Sequence, residues 1–385
     1  MRQKYCIILG DGMADEPIAE LSGKTPLEAA HTPNMDYIAR EGAMGLLKTV
    51  PDGFTPGSDV ANLSVLGYDP TTCYTGRGAL EAASMGISLG PEEIAYRCNL
   101  VTVRNEILED FNAGHITSEE GAALLKSLNE KLSGMVFHPG ISYRNLLTID
   151  GGKGCTSTPP HDITGEPVAS YLPDGPDAGI LLKAMKISEE VFAHHPVNLA
   201  RLDQGKNPAT TIWPWSGGMR PAIKPFIELT GLSGGIISAV DLLNGIGIYA
   251  GMEIVRVPGA TGFIDTDYQA KARYAIEALK HLDFLFVHVE APDEAGHMGD
   301  LKEKILAIER VDEMIGTIIK GFSGRITVLP DHPTPIRLKT HTAEPVPFAI
   351  LGKDKDTTSR FSEQEGKTGM YGLLQGPSLI PLLIS

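Results

Sequence analysis

In this chain of 385 residues, carboxylates and imidazoles recur just beyond short apolar runs. Tyr5 to Leu9 leads straight into Gly10-Asp11-Gly12. Asp283 to Val289 is followed by Glu290-Ala-Pro-Asp293-Glu-Ala-Gly-His297, with an Asp and a His four residues apart. Ile326 to Leu329 leads into Pro330-Asp331-His332, and His341 comes nine residues later, ahead of the next apolar run. Short continuous apolar runs read as parallel strands buried on both faces, and in such sheets functional loops follow the carboxyl ends. Asp11, Asp293, His297, Asp331, His332 and His341 are therefore expected at one sheet edge. Mixed carboxylate and imidazole donors suit Mn, Zn, Fe or Co better than Ca, which prefers oxygen cages. Six ligands are more than one tetrahedral ion needs. Two ions are the natural count, able to clamp a phosphoryl group and to activate a nucleophile.

The nucleophile expected is Ser58, in Thr55-Pro-Gly57-Ser58-Asp-Val-Ala-Asn62. Gly57 permits a tight approach, and Ser58 opens an expected helix running to Leu66. A helix N-terminus offers free N–H groups and partial positive charge to a phosphoryl group. A serine hydroxyl is a poor nucleophile alone, and metal coordination is one way to activate it. Taken singly, each residue has a plainer reading: a strand-end Asp as a turn residue, a Ser before a helix as its N-cap. Their convergence on one edge is what favours chemistry.

The elements that must hold these residues are strands alternating with helices. Further apolar runs cover 235–240, 253–257 and 347–351, and helical patterns cover 266–282 and 301–319. Near the start, Thr25-Pro26 and Thr32-Pro33 each offer an N-cap followed by Pro, and Gly42 a stop. This alternation predicts an α/β fold, a doubly wound, mostly parallel sheet. The middle differs. Strand candidates at 95–103, 136–137 and 146–149 are separated by helical patterns at 118–132, capped by Thr117 or Ser118, and at 177–193. This predicts an inserted α+β domain, 95–208, within a core of 1–94 and 209–385.

A net charge of -15 argues against a nucleic-acid partner or an anionic membrane surface. An anionic substrate would need a local pocket of positive charge. Four widely spaced cysteines without a CxxC read as reduced thiols in a cytoplasmic protein. No signal peptide is read at the start and no apolar stretch reaches the length of a membrane span. The partner expected is a small phosphorylated substrate. A P-loop and the Cys-x-Pro-x-Arg pattern of sulfatases are both absent.

End to end, the chain resembles the cofactor-independent phosphoglycerate mutases of the shorter, archaeal-type branch, within the alkaline phosphatase superfamily. The motifs that carry the resemblance are Gly10-Asp11-Gly12-Met-Ala-Asp-Glu-Pro, Thr32-Pro-Asn-Met-Asp36, Pro56-Gly-Ser58-Asp-Val-Ala-Asn-Leu, Leu66-Gly-Tyr-Asp-Pro70, Tyr74-Thr-Gly-Arg77-Gly, Val289-Glu-Ala-Pro-Asp293-Glu-Ala-Gly-His297 and Pro330-Asp331-His332-Pro-Thr-Pro. The resemblance implies interconversion of 3-phosphoglycerate and 2-phosphoglycerate through phosphorylated Ser58, without 2,3-bisphosphoglycerate. It implies one divalent ion on Asp11, Ser58, Asp331 and His332, and another on Asp293, His297 and His341. Mn is the ion expected, and Zn and Co satisfy the same ligands. It also implies that the inserted domain grips the substrate, with Arg77, Arg144, His161 and Arg201 as the matching residues and His161 as the proton carrier. The opening Gly-Asp-Gly-Met-Ala-Asp-Glu-Pro-Ile also resembles a bacterial sub-branch with proposed homoserine kinases. Phosphate transfer to homoserine, or to water, is the alternative on the same site. A non-enzymic relative would be expected to have lost Ser58 or a ligand, and all seven positions are present.

Overall fold

In the computed structural model, which describes residues 3–385, the strand-forming runs fall where the sequence places them. The chain forms β1 (Tyr5–Gly10) and β2 (Ala43–Lys48), then β3 (Glu93–Arg104), β4 (Ile107–Asp110), β5 (Met135–Ile141), β6 (Arg144–Asp150) and β7 (Thr211–Met219). It continues with β8 (Gly234–Ile237), β9 (Glu253–Ile254), β10 (Phe284–Val289), β11 (Arg325–Leu329), β12 (Val346–Leu351) and β13 (Leu373–Gln375). Two compact units result: a core that runs to Tyr74 and resumes at Ala222, and an inserted unit, Thr75–Pro221.

The core sheet has the order β13-β2-β12-β11-β1-β10-β8-β9. β1 pairs in parallel with β11 on one side and β10 on the other, so the carboxyl ends of these three strands lie side by side. Cys6, Ile8, Leu285 and Val287 join a cluster with the helices Pro33–Glu41, Tyr268–Ala278 and Leu301–Gly321. Ile7, Leu9, Phe284 and Phe286 point the other way and are equally buried. That burial on both faces explains why the strands read as continuous apolar runs rather than alternating ones. β12 departs from the parallel pattern, running antiparallel to both β11 and β2.

Local signals were largely kept. Thr25 caps its helix through a capping box with Glu28. Thr32 precedes the helix Pro33–Glu41 but does not cap it through its side chain. The buried carboxylate of Asp312 instead accepts from the Asn34 and Met35 amides.

In the inserted unit the sheet order is β4-β3-β6-β5, with β7 on the other side of β3, and its pairings are antiparallel. The helices Ser118–Lys131 and Ala178–Phe192 pack against Tyr96, Cys98 and Leu147. Thr117 supplies the capping box for the first of them. The unit's limits lie outside the expected 95 and 208. The helix Arg77–Ser84 packs on β3 and β7 through Ala79 and Ala82, and β7 itself pairs with β3, so both belong to the insertion.

Candidate active site

The serine comes first. Ser58 is the first residue of the helix Ser58–Val65, after Gly57 as N-cap, so its hydroxyl does not serve as a capping group. Its Oγ lies 3.3 Å from Asp11 Oδ2 and 3.1 Å from His332 Nε2. Asn62, one turn on, donates to the Ser58 carbonyl and to Asp331 Oδ2. The other Asp331 oxygen, Oδ1, accepts from the Gly12 and His332 amides. Gly12 has φ +61, and a Cβ there would lie 2.6 Å from both Asp293 Oδ1 and Thr334 Oγ1. The site thus demands glycine beside Asp11 both for conformation and for space.

The second group forms around Asp293, on the first turn of the helix Ala291–Met298. Asp293 Oδ2 lies 3.1 Å from His297 Nε2, and Oδ1 lies 3.5 Å from His341 Nε2. The two Nε2 atoms are 2.9 Å apart. His297 Nδ1 faces the Lys339 carbonyl, which can only accept, so that nitrogen carries the proton and a neutral ring offers Nε2 as a lone pair. Asp11, Asp331 and His332 can share one cation, and Asp293, His332 and His341 another. All six Asp and His residues expected at the edge are there, with Ser58 among them. His332 faces both groups.

Electrostatics shows what the site lacks. Burial, and then the charges of Asp331, Glu290 and Asp293, push Asp11 well above the usual carboxylate range. Glu290 is pushed up to about 8 by burial and by Asp293. Burial opposes ionisation of Asp293, yet hydrogen bonds from His297 and His341 hold it well below its ordinary value. Asp11 Oδ1 and Glu290 Oε2 are buried without a hydrogen-bond partner. Buried acceptors of one sign, unpartnered and crowding one another, fit a divalent cation.

Several residues of this site carried no signal in the reading of the sequence. His288, the fifth residue of β10, is fully buried, with Nε2 3.0 Å from Asp11 Oδ2 and its carbonyl accepting from the buried Lys271 ammonium. Asp11, His288 and Glu290 form a third group of converging donors. The His-Val-Glu alternation on a strand end was the available clue. A histidine inside an apolar run more often reads as a core residue.

The residues expected to grip substrate lie in the inserted unit. Arg144 opens β6, exposed, with its guanidinium 5.6 Å from the Tyr143 ring. Arg77 opens the helix Arg77–Ser84. His161 sits edge-on to Trp215 at 5.4 Å and to Phe111 at 6.2 Å. Between them lies an arginine that the sequence reading passed over. Arg97 of β3 stands opposite Trp215 of β7, its guanidinium 4.1 Å from the ring centroid and 3.0 Å from Glu81. Burial lowers its pKa, and the neighbouring charges of Arg77 and Arg144 lower it further against the pull of Glu81.

Arg201 does not belong with them. It is 1% exposed, and its guanidinium is consumed by Glu120 at 2.7 Å and by the carbonyls of Asn207, Ala113 and Gly114. It braces the capped start of the helix Ser118–Lys131 rather than reaching a ligand.

A doubly wound α/β core that gathers a serine, carboxylates and imidazoles at the ends of three adjacent parallel strands defines a metal-site enzyme of the α/β class. Comparison with known proteins narrows this. Residues 39–198 match the family model described as 2,3-bisphosphoglycerate-independent phosphoglycerate mutase. A protein of that name from Methanothrix thermoacetophila is 51% identical, covering 99% of this chain and 100% of its own. The PH0037 protein of Pyrococcus horikoshii has a structure similar at TM-score 0.86, with 33% identity over 100% of this chain and 97% of its own. The cofactor-independent phosphoglycerate mutase of Thermoplasma acidophilum shares the fold at TM-score 0.68 and 24% identity, covering 100% of this chain and 99% of its own. The chain belongs to the 2,3-bisphosphoglycerate-independent phosphoglycerate mutase family.

Proposed function

We propose that the protein interconverts 3-phosphoglycerate and 2-phosphoglycerate, with Ser58 carrying the phosphoryl group between the two hydroxyls. The observation that carries this is the placement of Ser58 Oγ between Asp11 Oδ2 and His332 Nε2, at the start of a buried helix. Phosphoryl transfer asks little covalent chemistry of a protein beyond a held nucleophile, neutralised oxygens and exclusion of water. In the first half, a bond forms from Ser58 Oγ to phosphorus as the bond to the glycerate oxygen breaks, and that oxygen takes up a proton. In the second half, the neighbouring glycerate hydroxyl gives up its proton and takes the phosphoryl group back. Ser58 takes its phosphoryl group from the substrate and returns it to the same molecule, so no phosphorylated cofactor is required.

Asp11, Asp331 and His332, with Ser58, would hold one divalent ion, and Asp293, His297 and His341 the other. Bound there, the ions would neutralise the buried carboxylates and favour the ionised serine hydroxyl. The mixed donor set suits Mn, Zn or Co, and the family resemblance favours Mn. Asn62 and the Gly12 amide keep Asp331 turned toward the site whatever the ion. Gripping of the substrate falls to the inserted unit. Arg77, Arg97 and Arg144 supply positive charge in a chain of net charge -15, and a guanidinium fork fits a carboxylate or phosphate through two bonds. His161 is the group of that face suited to carry the proton at the glycerate oxygens.

The test is an enolase-coupled assay on Mn-loaded protein given 3-phosphoglycerate without 2,3-bisphosphoglycerate. Turnover in the wild type that vanishes in Ser58→Ala is expected. Absent turnover, with metal bound, would overturn the glycerate assignment, and activity in Ser58→Ala would overturn the serine.

A further inference from the structure

Lys304, on the core helix Leu301–Gly321, is a lysine with no access to water. Its Nζ donates to the Ala14 carbonyl at 3.2 Å, to Asp15 Oδ2 at 2.8 Å and to the Thr334 carbonyl at 2.8 Å. An ammonium has three hydrogens to donate, and all three are used. Two acceptors lie in the loop that leaves β1 through Asp11. The third lies in the loop that leaves β11 through Asp331 and His332. The same loops also meet through the Gly12 amide on Asp331 Oδ1, the Thr334 amide on Ala14 O at 3.2 Å, the Ile336 amide on Asp15 Oδ2 at 3.1 Å and, at the surface, Arg337 on Glu16.

Burying an ammonium is costly, and burial lowers the pKa of Lys304 against the pull of Asp15. A leucine or methionine at this turn of the helix would fill the space without that cost. What an apolar side chain could not do is fix the distance between two loops with directional, charge-assisted bonds. Metal donors must be held to within about half an ångström, and side chains behind them do that holding.

We propose that Lys304 is a positioning residue: a three-point clamp that sets Asp11 against Asp331 and His332, and so sets the affinity of that group for its ion. This rests on the two-ion reading above. The Asp293, His297 and His341 group takes two of its three members from the helix Ala291–Met298, outside the clamped loops, and meets those loops through the Thr334 hydroxyl and His332. The clamp should act unequally on the two groups.

The experiment is a Mn²⁺ titration of metal-stripped protein, followed by calorimetry, for wild type, Lys304→Met, Asp331→Ala and the double variant. Wild type should take up two ions. Lys304→Met should weaken one of them by roughly 10- to 100-fold, the range seen when support behind a ligand is removed, and leave the other within about threefold. In the Asp331→Ala background the same substitution should change the remaining ion little. Equal weakening of both ions, or none, would overturn the clamp, since a general loss of structure does not choose between sites. Wild type binding fewer than two ions would instead overturn the two-ion reading, and the clamp with it. If Lys304→Met does not fold, Asp15→Asn removes the charge from one of the three acceptors and leaves both carbonyls. The same unequal loss is then expected, and an equal loss or none counts against the proposal.

Discussion

The two regions proposed to carry chemistry are electrical opposites. At the strand ends of the core, Asp11, Glu290, Asp293 and Asp331 crowd together, with acceptors left unpartnered. In the inserted unit, burial lowers the pKa of Arg97 and the charges of Arg77 and Arg144 lower it further, with Glu81 as the acidic neighbour that opposes them. The acidic region holds more negative charge than its protein neighbours balance. Arg201 shows the contrast within one unit: every arm of its fork is spoken for. A fork with every arm filled marks a group that braces the fold, whatever its residue type.

The largest effect should come from the core. Ser58→Ala should reduce phosphotransfer by about ten-thousand-fold or more while metal uptake at the Asp293 group persists, checked by the coupled assay and by metal analysis. An active variant would erase the contrast, because the acidic cluster would then have no nucleophile to serve. Arg201→Met tests the other side of it. Removing this buried cation should cost about 3 kcal/mol of stability, read by denaturant unfolding, with turnover per folded molecule unchanged. A selective rise in KM would return Arg201 to the gripping residues.

A third test uses a carboxylate away from both regions. Burial pushes Glu363 up to about 7, against hydrogen bonds from Thr25 and the Asp15 amide. A folded pKa above the unfolded one means that its contribution is fully present below about pH 4.5 and lost as pH rises through 7. Relative to Glu363→Gln, the wild type should lose about 3 kcal/mol across that window, measured by urea unfolding at several pH values. Parallel stability curves for the two proteins would show that the acid is not strained. The smallest effect is expected at Arg97. Arg97→Lys keeps the charge but loses the fork, and should raise KM about tenfold with little change in kcat. An unchanged KM would confine Arg97 to its contacts with Glu81 and Trp215.

Much of the core was legible because its strands are buried on both faces, which leaves apolar runs with polar residues only at their ends. The antiparallel course of β12 was not, since a strand buried on both faces reads alike in either direction. The limits of the insertion were missed for a related reason: Arg77–Ser84 has a helical pattern that fits either unit, and only packing against β3 assigns it. At the site, the ligands were legible by type and place. Lys304, Lys271 and His288 were not, because a lone polar residue in an apolar pattern gives no sign of whether it faces solvent or a partner. Arg97 lay hidden in a strand, whereas Arg201 looked functional because sequence cannot show that a fork is already filled.

The pairing of β1 between β10 and β11 has a consequence for how the molecule is made. Ser58 and Asp11 leave the ribosome early, but their partners arrive only with the segments that end at His297, His332 and His341. On the proposed role of Ser58, a nascent chain carries its nucleophile long before the ligands that would arm it are made. Since pairing so distant in sequence forms late, uptake of metal should serve as a timestamp for completed folding.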